Sequence, residues 1–201
     1  MNKLEDILIS KVRVKMLVLF FTNAEEMYYV RQLTRLINEE INAVRRELDR
    51  LLDTGMLKSE ERGNRLYYFL NKQYLYYQDF MQIVAKSSGL GDQIRKKRRK
   101  LGKLDYVMFS VKFVSGIQPS RDEVDILVVG EVVLPELQTL IKARETDLGR
   151  EINYAVFSKE EFEFRKTRRD PFIMDILYGS RIMIIGSEIE FSHRDTPGLN
   201  S

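Results

Sequence analysis

A cluster of small residues, Ser87-Ser88-Gly89-Leu90-Gly91, limits the possible folds of this chain more than any other feature. Such a cluster between two periodic segments is typical of a boundary between domains. The chain has 201 residues, so each side of the boundary is long enough for a small domain. The sequence therefore predicts two domains that meet near residues 88–92.

The two sides of the chain differ in net charge. Residues 1–103 contain 21 Lys and Arg against 13 Asp and Glu, whereas residues 104–201 contain 12 against 17. A basic module beside an acidic one is expected where the basic module binds a polyanion. Six of the cations form one run, Arg95-Lys96-Lys97-Arg98-Arg99-Lys100. We expect this run to be the solvated face of a linker helix over 89–103, with Ile94, Leu101 and Leu104 facing inward.

The composition excludes several classes of function. The chain has no Cys and a single His, His193, so disulfides, Cys-ligated metals and most His-based catalysis are excluded. The longest stretch without a charged residue, Met16 to Ala24, is too short to span a membrane. No cleavable signal sequence is evident near Glu5 and Asp6. We therefore expect a cytoplasmic protein with no membrane partner.

The first half reads as three helices followed by a hairpin. A dense apolar stretch predicts a buried helix over 11–21, a short strand follows at 28–30, and a second helix ends near Asn38. A third helix begins at Ile41, has an apolar stripe at intervals of three and four, and ends before Gly55. Its other face carries residue types that read base edges and bind phosphates, namely Asn42, Arg45, Arg46 and Arg50, together with Asp49.

The strand-like segments 56–59 and 66–70 flank a turn that contains Gly63-Asn64 between arginines, which predicts a hairpin with a basic tip. A helix pair followed by a hairpin is the order of a winged helix-turn-helix domain. Residues 10–87 resemble an arsenic-repressor-type winged helix. The motifs that carry the resemblance are Val44-Arg45-Arg46-Glu47-Leu48-Asp49-Arg50-Leu51 and Gly55-Met56-Leu57.

The resemblance implies a surface that binds double-stranded DNA. Four residues of the third helix would face the major groove, and three residues of the wing would contact the backbone: Asn42, Arg45, Arg46, Arg50, Arg62, Asn64 and Arg65. Two carboxylates before the helix, Glu39 and Glu40, oppose this reading because they would lie near phosphates. The alternative is that the arginines only solvate an amphipathic helix and pair with Glu47 or Asp49.

A further aromatic-rich helix is predicted over 72–88, with Tyr76, Phe80, Ile83 and Val84 at helical spacing. A helix outside a minimal DNA-binding unit often closes a dimer, so we expect a homodimer. The alternative is an interaction module that pairs with another protein through this helix.

The second half alternates strands and helices, which indicates an α/β domain. We predict strands at 104–110, 123–130, 152–157 and 182–185, with helices at 135–148, 159–167 and 171–178. Strand side chains repeat with period two, so Glu123 and Asp125 would share one face of a strand and could hold one Mg²⁺. Ser158 with Glu161 three residues later predicts a capping box.

A carboxylate pair spaced in this way after a Gly-containing loop resembles the minimal nucleotidyltransferases. Further stretches similar to that family are Gly149-Arg150-Glu151-Ile152-Asn153, Asp170-Pro171-Phe172 and Gly179-Ser180-Arg181-Ile182. The catalytic pattern departs from the family. Val111-Lys112 stands where Gly-Ser belongs, Glu123 replaces the first Asp, and Asn153 replaces the third carboxylate. The resemblance implies weak nucleotide-binding roles for Lys112 and Gly116, and we expect no catalysis.

The expected fold class is an α+β winged helix-turn-helix domain (1–88), a basic linker helix (89–103) and a degenerate α/β nucleotidyltransferase-like domain with a mixed sheet and flanking helices (104–186). A mobile tail is expected at 187–201.

The expected function is transcriptional regulation by duplex DNA binding without a required cofactor, with the second domain used for sensing a ligand such as a nucleotide or for dimerisation. The alternative is a Mg²⁺-dependent nucleotidyltransferase that acts on a protein or RNA acceptor through Glu123 and Asp125.

Overall fold

The structure, a computed structural model, describes residues 10–117, 120 and 123–193. Contacts group these residues into a first unit, which runs to Ser88 and includes Val114–Ile117, and a second unit with Gly89–Phe113 and the residues from 120 on. The predictions for residues 1–9 and 194–201 lie outside the described residues. No helix of the described ranges is both long enough and apolar enough to cross a membrane.

The described residues of the first unit form four helices and three strands. In chain order they are α1 (Lys11–Thr22), β1 (Met27–Tyr29), α2 (Val30–Ile37), α3 (Ile41–Asp53), β2 (Leu57–Arg62), β3 (Arg65–Leu70) and α4 (Tyr77–Ser87).

Local capping sets the helix bounds of the first unit. The Ser10 hydroxyl accepts a hydrogen bond from the Arg13 amide at 3.2 Å, so α1 begins at Lys11. Asn38 adopts a left-handed conformation with φ 48° and ends α2. The Glu40 carboxylate accepts hydrogen bonds from the Asn42 and Ala43 amides and begins α3. Glu40 is therefore an N-cap, a role that the sequence analysis did not assign to it.

The three strands form an antiparallel sheet in the order β1-β3-β2. Tyr28 pairs with Tyr68, and Arg62 pairs with Arg65 at the hairpin end. Gly63 has φ +61° in the turn, a conformation that glycine adopts without steric cost. Val30 begins α2 instead of ending β1, and both hairpin strands extend closer to the turn than predicted.

Helix α4 is shorter than the predicted helix over 72–88. Residues from Asn71 onward make successive turns, with the Tyr74 amide bonded to the Asn71 carbonyl and the Tyr77 amide to the Tyr74 carbonyl. The helix packs through Tyr77 and Phe80 against Phe21 of α1, at ring-centroid distances of 5.6 and 6.1 Å. These aromatic contacts join α4 to the core of the first unit.

Within the described ranges, the second unit is a four-stranded sheet with helices on both faces. In chain order its elements are α5 (Gly89–Lys96), α6 (Arg98–Leu101), β4 (Gly102–Ser110), α7 (Val111–Val114, whose last residue is grouped with the first unit), β5 (Ile126–Val132), α8 (Leu134–Leu148), β6 (Tyr154–Phe157), α9 (Lys159–Thr167), α10 (Pro171–Tyr178), β7 (Arg181–Ile185) and α11 (Glu188–Ser192).

The sheet order is β6-β5-β4-β7, with β5 and β6 parallel and the other pairs antiparallel. Side chains alternate between its faces. One face carries Met108, Leu127 and Val129, which pack with a core from α9, α10 and α11 that includes Phe162, Ile173 and Phe191. The other face carries Val107 and Val128, which lie near Ile94, Leu101 and Leu137 of the helices on that side.

The predicted linker helix over 89–103 is two short helices followed by a strand. Lys97 interrupts the helix with φ −95° and ψ 12°, and β4 begins at Gly102. Ile94, Leu101 and Leu104 are buried, as predicted, and all six residues of the cationic run are exposed. The whole segment belongs to the second unit and is packed instead of linking two bodies.

Two further predictions need correction. Strand β5 begins at Ile126, so Glu123 and Asp125 precede the strand and do not share a strand face. The predicted mobile tail begins with α11, whose Phe191 is fully buried and stacks on Phe162 at a centroid distance of 5.0 Å. Phe191 is therefore part of the core, and its aromatic contact holds α11 against the second unit. The Ser158 cap is confirmed, since its hydroxyl accepts a hydrogen bond from the Glu161 amide.

Candidate functional site

A cleft of about 590 Å³ opens in the second unit where β4 ends and β5 and β7 begin. Four separate segments of the chain line it: Ser110 to Lys112, Glu123 and Val124, α10, and the turn into β7. Its apolar surface comes from Met108, Val111, Val124, Phe172 and Ile176. Both the volume and the apolar lining are typical of a small-molecule site.

The cleft is held open by backbone contacts at its base. Ser110 pairs with Arg181 across β4 and β7, and the Val111 amide donates to the Ser180 carbonyl at 3.0 Å. The Phe113 amide donates to the Ser110 hydroxyl at 3.1 Å and thereby fixes the turn from β4 into α7. These bonds fix the backbone that carries Val111 and Lys112 at the cleft.

Lys112 and Glu123 form an ion pair at the rim of the cleft. The Glu123 carboxylate also accepts the Ser120 amide at 3.0 Å. The hydrogen bond from Lys112, followed by that from Ser120, lowers the pKa of Glu123 below its usual value. Lys112, which the sequence assigned to a nucleotide, is thus occupied by a carboxylate of its own chain.

Asp125 is not placed to bind a metal. Its carboxylate is fully buried, lies 2.9 Å from Nη1 of Arg150 and accepts the Asn153 amide at 3.1 Å. Together with the pairing of Glu123 to Lys112, this corrects the predicted Mg²⁺ site, because both carboxylates are already neutralised by cations of the chain. No group of three or more metal-ligating side chains occurs among the residues that the structure describes.

Gly116 does not line the cleft. It has φ +74°, and a Cβ atom at this position would lie 2.6 Å from the Thr22 carbonyl oxygen. Glycine is needed here because the backbone passes so close to the end of α1. Gly116 therefore has a structural role in the first unit, in place of the predicted role in holding a nucleotide.

Two charged residues of the cleft, Arg181 and Asp175, have no role predicted from the sequence. Arg181 donates through Nη1 to the carbonyls of Ile176, Leu177 and Gly179, and through Nη2 to Glu188 and Ser192. It thereby closes the carboxyl end of α10. Asp175 lies on the same helix and is exposed. In the sequence, Asp175 is the one charged residue of the apolar segment Pro171–Tyr178. This pattern is the signal that could have identified Asp175 as a candidate site residue.

The predicted DNA-contacting residues of α3 are all exposed. Arg50 donates to Glu47 at 2.6 Å, and the buried Glu47 also accepts from Arg13 at 2.8 Å. Arg45 and Arg46 make no hydrogen bond or salt bridge within the described ranges, and Asn42 contributes its amide to the Glu40 cap. If the arginines only solvate the helix, they should pair with Glu47 or Asp49. Arg50 makes such a pair, whereas Arg45 and Arg46 make none within the described ranges.

The hairpin residues are exposed as well. Arg62 pairs with Glu60 at 3.1 Å, Asn64 lies in the turn, and the Arg65 guanidinium lies 4.6 Å from the Tyr29 ring centroid. Glu39 pairs with Lys15 at 2.6 Å, so its charge is balanced within the first unit. The assignment of these residues and of the α3 residues to DNA contacts stays a prediction.

Comparisons with known proteins give little to identify the chain. No protein-family model and no curated protein matches it. A solved chain of human N-acetylserotonin methyltransferase, in complex with SAM, is similar over 85% of this chain and 44% of that one, with 14% identity and a TM-score of 0.31. This chain therefore spans less than half the length of that protein, and so low a likeness carries no argument about activity or cofactor.

The comparisons do correct the resemblance stated from the sequence. No family model and no curated protein of either class matches the chain, and the solved chain reported above belongs to neither class. We therefore withdraw the winged-helix and nucleotidyltransferase fold class, the function as a DNA-binding transcriptional regulator, nucleotidyl transfer as its alternative, and the associated cofactor assignment of none or Mg²⁺. The fold of each unit is therefore described by its own strand order and helices, without a family name.

Proposed function

We propose that the second unit is a ligand-binding module that takes a small organic molecule with a largely apolar body. The observation that carries this proposal is the cleft of about 590 Å³ with an apolar interior and a polar rim. A cleft of this size suits a drug-sized or smaller molecule. We keep the cytoplasm as the expected location of the protein.

The apolar interior supplies the driving force for binding. Met108 and Ile176 are buried at its base, and Val111, Val124 and Phe172 are half-buried along its sides. Transfer of about 150 Å² of apolar ligand surface out of water contributes roughly 4 kcal/mol before the entropy of association is subtracted. Because about 4 kcal/mol corresponds to a dissociation constant of about 1 mM, we expect simple fragments to bind with dissociation constants of about 1 mM or weaker.

The polar rim supplies orientation. The Lys112–Glu123 pair, the Ser110 hydroxyl and Asp175 are at or near the surface. A few polar groups around an apolar interior fix how a ligand sits and which ligands are accepted. The backbone bonds at the base of the cleft preorganise the backbone that carries Ser110 and Lys112, so little backbone entropy is lost there when a ligand binds.

The test is a ligand-observed NMR screen of small aromatic and aliphatic fragments against the full chain. Val111→Phe would place a phenyl ring inside the cleft and occupy part of its volume, and Val133→Phe is the matched control, because Val133 is an exposed residue outside the cleft. We expect fragments to bind the wild type and the control, and to lose at least about tenfold in affinity to Val111→Phe. Circular dichroism of each variant confirms that it is folded. The proposal is wrong if no fragment binds, or if a folded Val111→Phe variant binds as the wild type does.

A further inference from the structure

We infer that the cleft selects an organic cation, an ammonium group on an apolar body, and that Asp175 is the residue that holds the cationic group. This inference rests on the proposed function, since it specifies which ligands the same cleft accepts. It follows from the charges at the cleft and from the spacing of the residues on α10.

Four of the described residues that line the cleft are charged, and they differ in what already balances them. Lys112 is paired with Glu123, and Arg181 is paired with Glu188. Arg181 further donates to three carbonyls, and its Nε atom, which has no hydrogen-bond partner within the described ranges, is buried away from the cleft surface. The Asp175 carboxylate makes no hydrogen bond or salt bridge within the part of the chain that the structure describes. Among the described residues that line the cleft, the charge left unbalanced is therefore negative.

The position of Asp175 on α10 combines this charge with an aromatic ring. Phe172, Asp175 and Ile176 are spaced i, i+3 and i+4 on the helix and therefore share one face, and all three line the cleft. Phe172 is half-buried and packs edge to face on Phe157 at a centroid distance of 6.0 Å, so its ring is held in place. A carboxylate beside a fixed aromatic ring is the combination that attracts organic cations.

A negatively charged ligand would meet the opposite situation. It would have to displace Glu123 from Lys112, which leaves that carboxylate without its partner, and it would lie near Asp175. A neutral ligand of the same shape would gain the apolar contacts alone. The cleft therefore ranks three matched molecules in the order cation, neutral and anion.

The experiment compares 3-phenylpropylamine, 3-phenylpropan-1-ol and 3-phenylpropanoate, which share one apolar body and differ in head-group charge at pH 7. Dissociation constants are measured by calorimetry or NMR titration on the full chain, on Asp175→Asn and on Asp147→Asn. Asp147 is the matched control, because it is an exposed carboxylate of the same unit outside the cleft.

We expect the amine to bind about tenfold more tightly than the alcohol, and Asp175→Asn to remove that difference without weakening the alcohol. Asp147→Asn should leave both affinities unchanged. The inference is overturned if the anion binds as tightly as the amine, if Asp175→Asn preserves the preference for the amine, or if none of the three binds. Binding of the alcohol without a preference for the amine would overturn the inference alone, whereas a failed fragment screen would overturn the proposed function too.

Discussion

Removal of the Arg150 side chain tests whether Asp125 is a structural carboxylate. Asp125 is fully buried, and Arg150, which is about one-fifth exposed, places Nη1 and Nη2 at 2.9 and 3.4 Å from its two oxygens. Arg150→Met would leave a buried carboxylate with the Asn153 amide as its hydrogen-bond donor but without a counter-charge. Breaking a buried pair in this way costs about 3–5 kcal/mol.

Asp125→Asn should cost less, about 1–3 kcal/mol. The amide oxygen can still accept from Asn153, and Arg150 retains the Glu151 carbonyl at 2.8 Å and a partly solvated position. The double variant should be more stable than the sum of the single effects predicts, with a coupling of about 2 kcal/mol. Arg150→Lys is the control that keeps the charge.

The assay is urea unfolding of the full chain followed by far-ultraviolet circular dichroism. Because the chain has two compact units, we expect that the transition of the second unit moves and that of the first does not. The reasoning is refuted if Arg150→Met costs less than about 1 kcal/mol. It is also refuted if millimolar Mg²⁺ stabilises the wild type but not Asp125→Asn, since that would make Asp125 a metal ligand.

Three further predictions concern the first unit. Burial raises the pKa of Glu47, but hydrogen bonds from Arg13 and Arg50 outweigh it, and the net pKa is lowered; the carboxylate therefore stabilises the fold above its unfolded pKa of about 4.3 and loses that contribution as the pH falls further. Glu47→Gln should flatten this acid dependence of stability in urea unfolding at several pH values, and an unchanged dependence would contradict the prediction. The predicted DNA contacts require that a fluorescent duplex binds the full chain with an affinity that falls as the salt concentration rises. Arg65→Ala should lower the salt slope by about one unit, and the control Arg168→Ala in the second unit should change nothing. Equal affinity of Arg45→Ala, Arg46→Ala and the wild type for the duplex would show that α3 does not contact DNA. The predicted homodimer has a candidate surface in three apolar side chains, Leu75, Tyr76 and Ile83, which are 80%, 52% and 41% exposed. Light scattering should show a dimer for the wild type and a monomer for Ile83→Asp, and a monomeric wild type would contradict the prediction.

The local signals of the sequence predict most of the elements. The apolar stripe of α3 and the Ser158 cap depend on residues within one or two turns, and the structure places both within a residue of the prediction. Gly55 ends the region of α3 with φ +73°, as its position after the stripe predicts. These features need no information from distant parts of the chain.

The site could not be predicted in the same way. The start of β5 depends on Arg150 and Asn153, which contact Asp125 from about 25 residues away in sequence, so an alternating pattern alone placed Glu123 and Asp125 on the strand. The cleft joins segments from Ser110 to Arg181, and no local pattern shows that they meet. Phe191 was assigned to a tail because its partners, Phe162 and Tyr106, lie on distant elements.

The binding of a small molecule in the cleft is tested most directly by NMR of the methionine methyl groups during titration with 3-phenylpropylamine. Met108 lines the cleft, whereas Met16 and Met81 are buried in the first unit and serve as internal references. The account predicts a saturable shift at Met108 that is abolished by Val111→Phe, with the two references unchanged. Absence of a shift at Met108, or equal shifts at all three methyl groups, would contradict it.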